Sequence, residues 1–264
     1  MDFISNSARS APWATPLVGV VALLFAAANL KSIPFYHTLH TLPSLYRLLK
    51  PRFRTRGAKA CSDAPVANPP TESATLFKHY ATRSRVTITD LDINLHKSNS
   101  TFFLDADNNR AALLTKLLSE GLATTGPSIF ILAGVACKFR QEIRPFQAYT
   151  VSSRILAWND QSLYVVTYFL KPGVRLPAEI DVLGSPSAVL KDDKYRKSVF
   201  AVMVTKYVFK AGRRTVPPEE VLRSAGFAVS GGGGGASKSE GGYGDDSIDY
   251  AIKSGLEYVR GCME

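Results

Sequence analysis

Cysteine is scarce in this sequence. Cys61, Cys137 and Cys262 are odd in number, far apart and never spaced as Cys-x-x-Cys, which excludes a disulfide framework and a thiolate zinc site and favours a reducing compartment. His37 and His40 stand three apart with no further ligand near them, so they read as interfacial side chains rather than a metal pair. The run Gly231–Gly235 lacks the Lys-Ser/Thr that a phosphate loop requires and reads as a flexible tether. There is no helix-turn-helix, zinc-finger or aromatic ribonucleoprotein signature. A formal net charge of +10 therefore does not point to nucleic acid. Acidic residues are missing altogether from Lys31 to Ser62, where Lys31, Arg47, Lys50, Arg52, Arg54, Arg56 and Lys59 gather beside an apolar run. That placement favours a membrane surface as the anionic partner.

What is present is a globular composition, 45% hydrophobic and 20% charged. The chain divides into a membrane anchor with an amphipathic flank (1–45), a basic and Pro-rich linker (46–73), one folded domain (74–229), and a Gly-rich tether with a C-terminal helix (230–264). Ala11–Leu30 is 20 residues without a charge, long enough to cross a bilayer core as a helix. A cleaved signal peptide is the competing reading, opposed by Asp2, which offsets Arg9, and by basic charge that follows the segment instead of preceding it. The expectation is a single-pass membrane protein of the endoplasmic reticulum with its domain on the cytosolic side.

Within the domain, Arg85–Thr89 alternates as a strand, and Asn99–Leu122 carries Phe103, Ala106, Leu113, Leu114, Leu117 and Leu118 near helical spacing, with Gly121 as a stop. Four β-branched and aromatic runs follow, Ser128–Arg140, Tyr149–Trp158, Ser162–Lys171 and Ser198–Lys210, with Pro172–Lys197 as an insertion. A helix preceded by one strand and followed by four or more is an α+β arrangement in which an antiparallel sheet wraps a single long helix.

The join between the first strand and the helix is unusually polar: Asp90, Asp92, Asn94, His96, Ser98 and Asn99. Turn formation alone would account for several of them. "DLDINLHKSNSTFFLDADNNR", however, resembles the Asp-x-Asn-x-His-x-Asn-Asn signature of hotdog-fold acyl-CoA thioesterases of the 4-hydroxybenzoyl-CoA thioesterase-like branch, and the strands after it are similar too. The N-terminal segment resembles that of membrane-anchored eukaryotic, fungal-type members, some of which accompany secondary-metabolite pathways. The resemblance implies a hotdog fold, a thioester hydrolase acting on acyl-CoA or acyl-carrier substrates without a cofactor, and a homodimer or higher assembly. It implies Asp92 as catalytic base or nucleophile, with Asn94, His96, Asn99 and Ser100 contacting substrate. Ser98 departs from the usual Asn, and Phe102 from the common Tyr. A catalytically silent hotdog that binds acyl-CoA or lipid, or scaffolds a pathway, is the rival.

Hydrolysis of a thioester needs an activated water or an attacking carboxylate, with donors aimed at the developing oxyanion. Asp92 meets the first need, and the first turn of the following helix meets the second. On this reading His96 orients Asp92, Asn94 holds the loop through its side chain, Asp90 is a turn residue, and Asp105 and Asp107 face solvent or serve structure. Lys138, Arg140, Arg144 and Arg154 are weaker candidates for CoA phosphates, because strands carry exposed basic residues as a matter of course.

Overall fold

The computed structural model describes residues 14–29, 31, 35–57, 73–125, 128–176, 186–227, 229 and 245–263. The Gly231–Gly235 tether and most of the expected linker lie outside them. Two N-terminal helices, α1 (Ala14–Ala28) and α2 (Tyr36–Gly57), precede β1 (Tyr80–Arg85) and the long helix α3 (Asn99–Thr124). Then come β2 (Ile129–Phe139), β3 (Ala148–Trp158), β4 (Leu163–Leu170), two short helices α4 (Pro186–Lys191) and α5 (Asp193–Arg196), β5 (Val199–Ala211), β6 (Arg214–Val216), α6 (Pro218–Ser224) and α7 (Asp245–Met263). The sheet is antiparallel throughout, in the order β1-β3-β4-β5-β2, with β6 paired to the far end of β5.

The four expected strand runs form β2 to β5, and the expected α+β hotdog arrangement, a curled sheet around one long helix, is the fold observed. All of β4, and all of β3 after Ala148, are buried because both faces are covered. Helix α3 contacts β3 and β4, while α7 and the short turn Ser73–Phe77 also lie on β3. The C-terminal helix seats so closely that a side chain at Gly255 would meet Ala157 Cβ and the Leu156 carbonyl at 2.9 Å.

Two apolar clusters line α3. Leu113, Leu114, Leu118 and Leu122 pack with Ile155, Leu163, Val166 and Val204. Phe102 and Ala106, nearer the helix start, pack with Tyr149, Val151, Phe169, Phe200 and Met203. Each fully buried aliphatic or aromatic side chain contributes about 1.5–3 kcal/mol. The second cluster fixes where the head of α3, and so the polar join, lies on the sheet.

Several expectations are corrected. The first strand is Tyr80–Arg85, not Arg85–Thr89, because Ile88–Asp90 closes into a 3₁₀ turn: Asp90 accepts from the Thr87 backbone N–H at 3.0 Å, a bond a strand would not make. Gly121 does not stop α3, which runs on to Thr124; a side chain there would strike the Val221 carbonyl, so the glycine lets α6 approach. Residues 46–57, assigned to a linker, continue α2, which lies along α3. Of the segment Ala11–Leu30, expected to cross a membrane, the helix described is Ala14–Ala28, whose 15 residues rise about 22 Å, and residues 11–13 and 30 lie outside the described residues. Among the described residues no helix is long and apolar enough to cross a membrane.

Candidate active site

The join after the 3₁₀ turn is a tight hairpin. Leu91 and Lys97 pair as an isolated antiparallel bridge, and at its tip Asp92 and His96 are linked by the Asp92 N–H donating to the His96 carbonyl at 3.0 Å. The turn is completed by Leu95, whose N–H donates to the Asp92 carbonyl and whose φ of 58° lies in the left-handed region that disfavours a branched side chain. Ser98 N–H then donates to the Asp90 carbonyl at 2.7 Å, which closes the loop immediately before α3.

This hairpin presents the expected catalytic residue. Asp92 Oδ1 accepts from the Asn94 N–H at 2.8 Å, and Oδ2 lies 3.3 Å from His96 Nδ1. Both side chains are roughly three-tenths exposed, 27% for Asp92 and 30% for His96. The expected hold by the Asn94 side chain is corrected: the bond that shapes the turn is the reverse one, from the Asn94 backbone to the Asp92 carboxylate. The Asn94 side chain is exposed.

Asn99 and Ser100 are exposed in the first turn of α3. Ser98 has the extended backbone of an N-cap, yet its hydroxyl makes no capping bond and pairs with Ser100 Oγ at 3.0 Å. No side-chain cap takes the first-turn amides; the Thr101 N–H donates to the Ser98 carbonyl at 3.0 Å, which leaves those of Asn99 and Ser100 for an anion at the helix head. The structure thus brings Asp92 and His96 together and sets Asn99 and Ser100 at the adjacent helix start.

Behind the hairpin lies a buried ion cluster. Asp90, expected to be a simple turn residue, and Asp105, expected to face solvent or serve structure, are both largely buried, at 10% and 13% side-chain exposure. Lys97 Nζ, wholly buried, lies 2.8 Å from Asp105 Oδ2 and 4.0 Å from Asp90 Oδ1. From the other side Lys31 Nζ meets Asp105 Oδ1 at 3.1 Å, Asp90 Oδ2 at 3.5 Å and the Tyr149 hydroxyl at 2.7 Å. Lys31, grouped with a headgroup-facing basic stretch, thus belongs to the domain interior.

The Tyr149 hydroxyl donates to Asp105 in a short bond. Burial and the neighbouring Asp105 charge push the Tyr149 pKa well above its usual value, so the hydroxyl stays a donor. Burial opposes ionisation of Asp105, but Lys97 and Lys31 beside it hold its carboxyl below the ordinary range. Burial pulls the Lys97 pKa down, against the opposing pull of Asp105. Asp107 is exposed on the helix. Of the basic residues considered for phosphate, Arg154 is buried and so turned away from any ligand in solvent, while Arg144 is exposed near Glu142.

Lys97, Tyr149 and Lys31 are absent from the sequence-based site. One signal was available: Lys97, Thr101 and Asp105 recur every fourth residue, and Lys97 Nζ donates to Thr101 Oγ1 at 2.9 Å.

Residues 86–225 match the family model described as the thioesterase-like superfamily. The chain is 39% identical over 167 residues to the thioesterase poxG of Penicillium oxalicum, an alignment covering 58% of this chain and 55% of that one. It is 36% identical over 171 residues to the probable thioesterase atnL of Emericella nidulans, with the same 58% and 55% coverage. The crystal structure of the probable thioesterase YbaW from Escherichia coli aligns with 55% of this chain and 95% of its own, at 14% identity and a TM-score of 0.41. The chain spans about half the length of the curated relatives it matches. With its family model matched over more than half of its length, from Val86 to Ala225, the chain belongs to the thioesterase-like superfamily.

Proposed function

We propose that this protein hydrolyses acyl thioesters, carried by CoA or by a carrier protein, with Asp92 as general base or nucleophile. The observation that carries the reading is the placement of the Asp92–His96 pair on a hydrogen-bonded hairpin next to a helix head without a side-chain cap. As base, Asp92 takes a proton from the water that attacks the thioester carbon; as nucleophile, its carboxylate attacks and a water then cleaves the anhydride formed. Either way the first-turn amides at Asn99 and Ser100 receive the oxyanion, the C–S bond breaks, and the thiolate leaves and takes up the proton released by water. Family membership and the fungal thioesterase relatives support the same chemistry. The test is turnover of a panel of acyl-CoA and acyl-carrier thioesters across chain lengths; hydrolysis above the buffer rate supports the reading, and none on any substrate contradicts it.

The assembly proposed is a homodimer. Strand β2 ends the sheet, and Ile129, Ile131, Leu132 and Phe139 on it are exposed, while Ile93 and Leu95 project from the active-site hairpin. A second copy against this edge would cover both patches. Sedimentation of the detergent-solubilised chain decides between monomer and dimer.

The location proposed is a membrane, in the endoplasmic reticulum, with the domain cytosolic. Leu17, Val18, Val21, Leu23, Leu24 and Phe25 of α1 are all more than half exposed, a continuous apolar surface of the kind that lipid covers. A role in lipid or secondary-metabolite biosynthesis belongs to the same proposal, and rests on the resemblance of the N-terminal segment to fungal-type members. The rival, a catalytically silent binder of acyl-CoA or lipid, rests on one observation: both Asp92 oxygens already have partners in the hairpin.

A further inference from the structure

The end of α1 is built into the wall of the candidate site. Asn29 is almost fully buried. Its side-chain amide donates to the Phe25 carbonyl at 2.8 Å, closing the helix, and its side-chain oxygen accepts from the Ile88 backbone N–H at 2.9 Å. Ile88 opens the 3₁₀ turn that leads into the Asp92 hairpin. Two residues beyond Asn29, Lys31 enters the ion cluster and meets Asp90, Asp105 and Tyr149. One segment therefore grips the start of the join through backbone and its interior through charge.

Charge balance says why Lys31 matters. The cluster holds two carboxylates, Asp90 and Asp105, and two ammonium groups, Lys31 and Lys97. Without Lys31 a buried carboxylate would be left uncompensated, and buried ions that lose a partner are strongly destabilising. The carboxylate exposed to that loss, Asp90, is the one that shapes the loop: its side chain holds the Thr87 N–H and its carbonyl holds the Ser98 N–H. An Asp90 released from Lys31 would swing, and both ends of the hairpin would loosen.

We propose that Lys31 is a positioning residue for the candidate active site, joining the apolar helix α1 to the hairpin that carries Asp92. The inference rests on the assignment of Asp92. Lys31 touches no substrate; it acts through Asp90 and Asp105, so that the segment between α1 and the domain is part of the catalytic scaffold rather than a passive tether. The groups facing it are Asp90, Lys97 and Asp105 from the join and α3, Tyr149 from β3, and Tyr36, His40 and Arg83 around a small adjoining cavity between α2 and β1.

The experiment uses the full chain in detergent or vesicles and compares wild type with Lys31→Met, Lys31→Arg and the double variant Lys31→Met/Asp105→Asn, which restores neutrality. Two readouts are taken: amide hydrogen exchange across Asp90–Ser98 against β3–β4, and kcat and KM on one acyl thioester. Lys31→Met is expected to speed exchange in the hairpin while β3–β4 stay protected. It should also lower kcat by about tenfold to a hundredfold, the scale on which a displacement of roughly an ångström acts, with KM little changed. Lys31→Arg should restore both, and the double variant should recover hairpin protection. Wild-type exchange and kcat in Lys31→Met would overturn the proposal, as would an arginine variant as impaired as the methionine one. If Lys31→Met does not fold, recovery in the neutral double variant supports the proposal and failure of that variant overturns it. Absence of turnover in wild type would defeat the thioesterase reading alone, because hairpin exchange still decides the role of Lys31.

Discussion

The Asp92 carboxylate lies 3.3 Å from His96 Nδ1 across a turn that both residues help to close. His96 is thereby in position to orient the carboxylate that the proposed chemistry requires. His96→Gln is expected to lower kcat/KM on an acyl thioester by less than the roughly 10²–10⁴-fold that general-base catalysis itself contributes. Because the pair is part-exposed, the melting temperature should stay within about 2 °C of wild type. Unchanged kinetics in the variant would remove His96 from the mechanism.

The ion cluster predicts how stability depends on pH. The folded-state pKa of Asp105 is held below its unfolded value, so its contribution is complete above about pH 4 and is lost as pH falls through the lower folded value. Asp105→Asn should flatten that acid limb. It should also cost about 3–5 kcal/mol at neutral pH, because Lys97 and Lys31 lose a buried partner. Unfolding measured from pH 7 to pH 3 checks this; parallel curves for variant and wild type would show that the cluster is not responsible.

Truncation separates the apolar helix from the residues that follow it. Deleting residues 1–28 removes α1 yet keeps Asn29 and Lys31, and the product should leave the membrane while retaining the hairpin and activity. Deleting residues 1–31 removes both contacts and should yield a less stable, less active protein. Fractionation, melting temperature and kcat distinguish the two; equal behaviour of both truncations would mean that Asn29 and Lys31 contribute nothing.

The strands and the long helix were legible because their signals are local: β-branched runs bounded by turn residues, and leucines at helical spacing. The burial of Asp90 in its turn and of Asp105 in its structural role was not legible, for the opposite reason. Their burial depends on Lys31, 59 and 74 positions away, and no pattern within a short window reports such a partner. Arg85–Thr89 alternates as a strand should, but the mutual bonds of Thr87 and Asp90 outweigh that preference and close a 3₁₀ turn. The apolar character of α1 was also legible, whereas its C-terminal docking through Asn29 was not, since an asparagine after an apolar run reads equally well as a plain helix stop.

Asp92→Asn, measured beside wild type, tests the central claim most directly. The substitution nearly preserves size and can keep the bond from the Asn94 N–H, yet an amide is neither a base nor a competent nucleophile. With melting temperatures matched, kcat/KM on the best acyl thioester is expected to fall by about 10²–10⁴-fold or more. Equal turnover by wild type and Asp92→Asn would contradict the account.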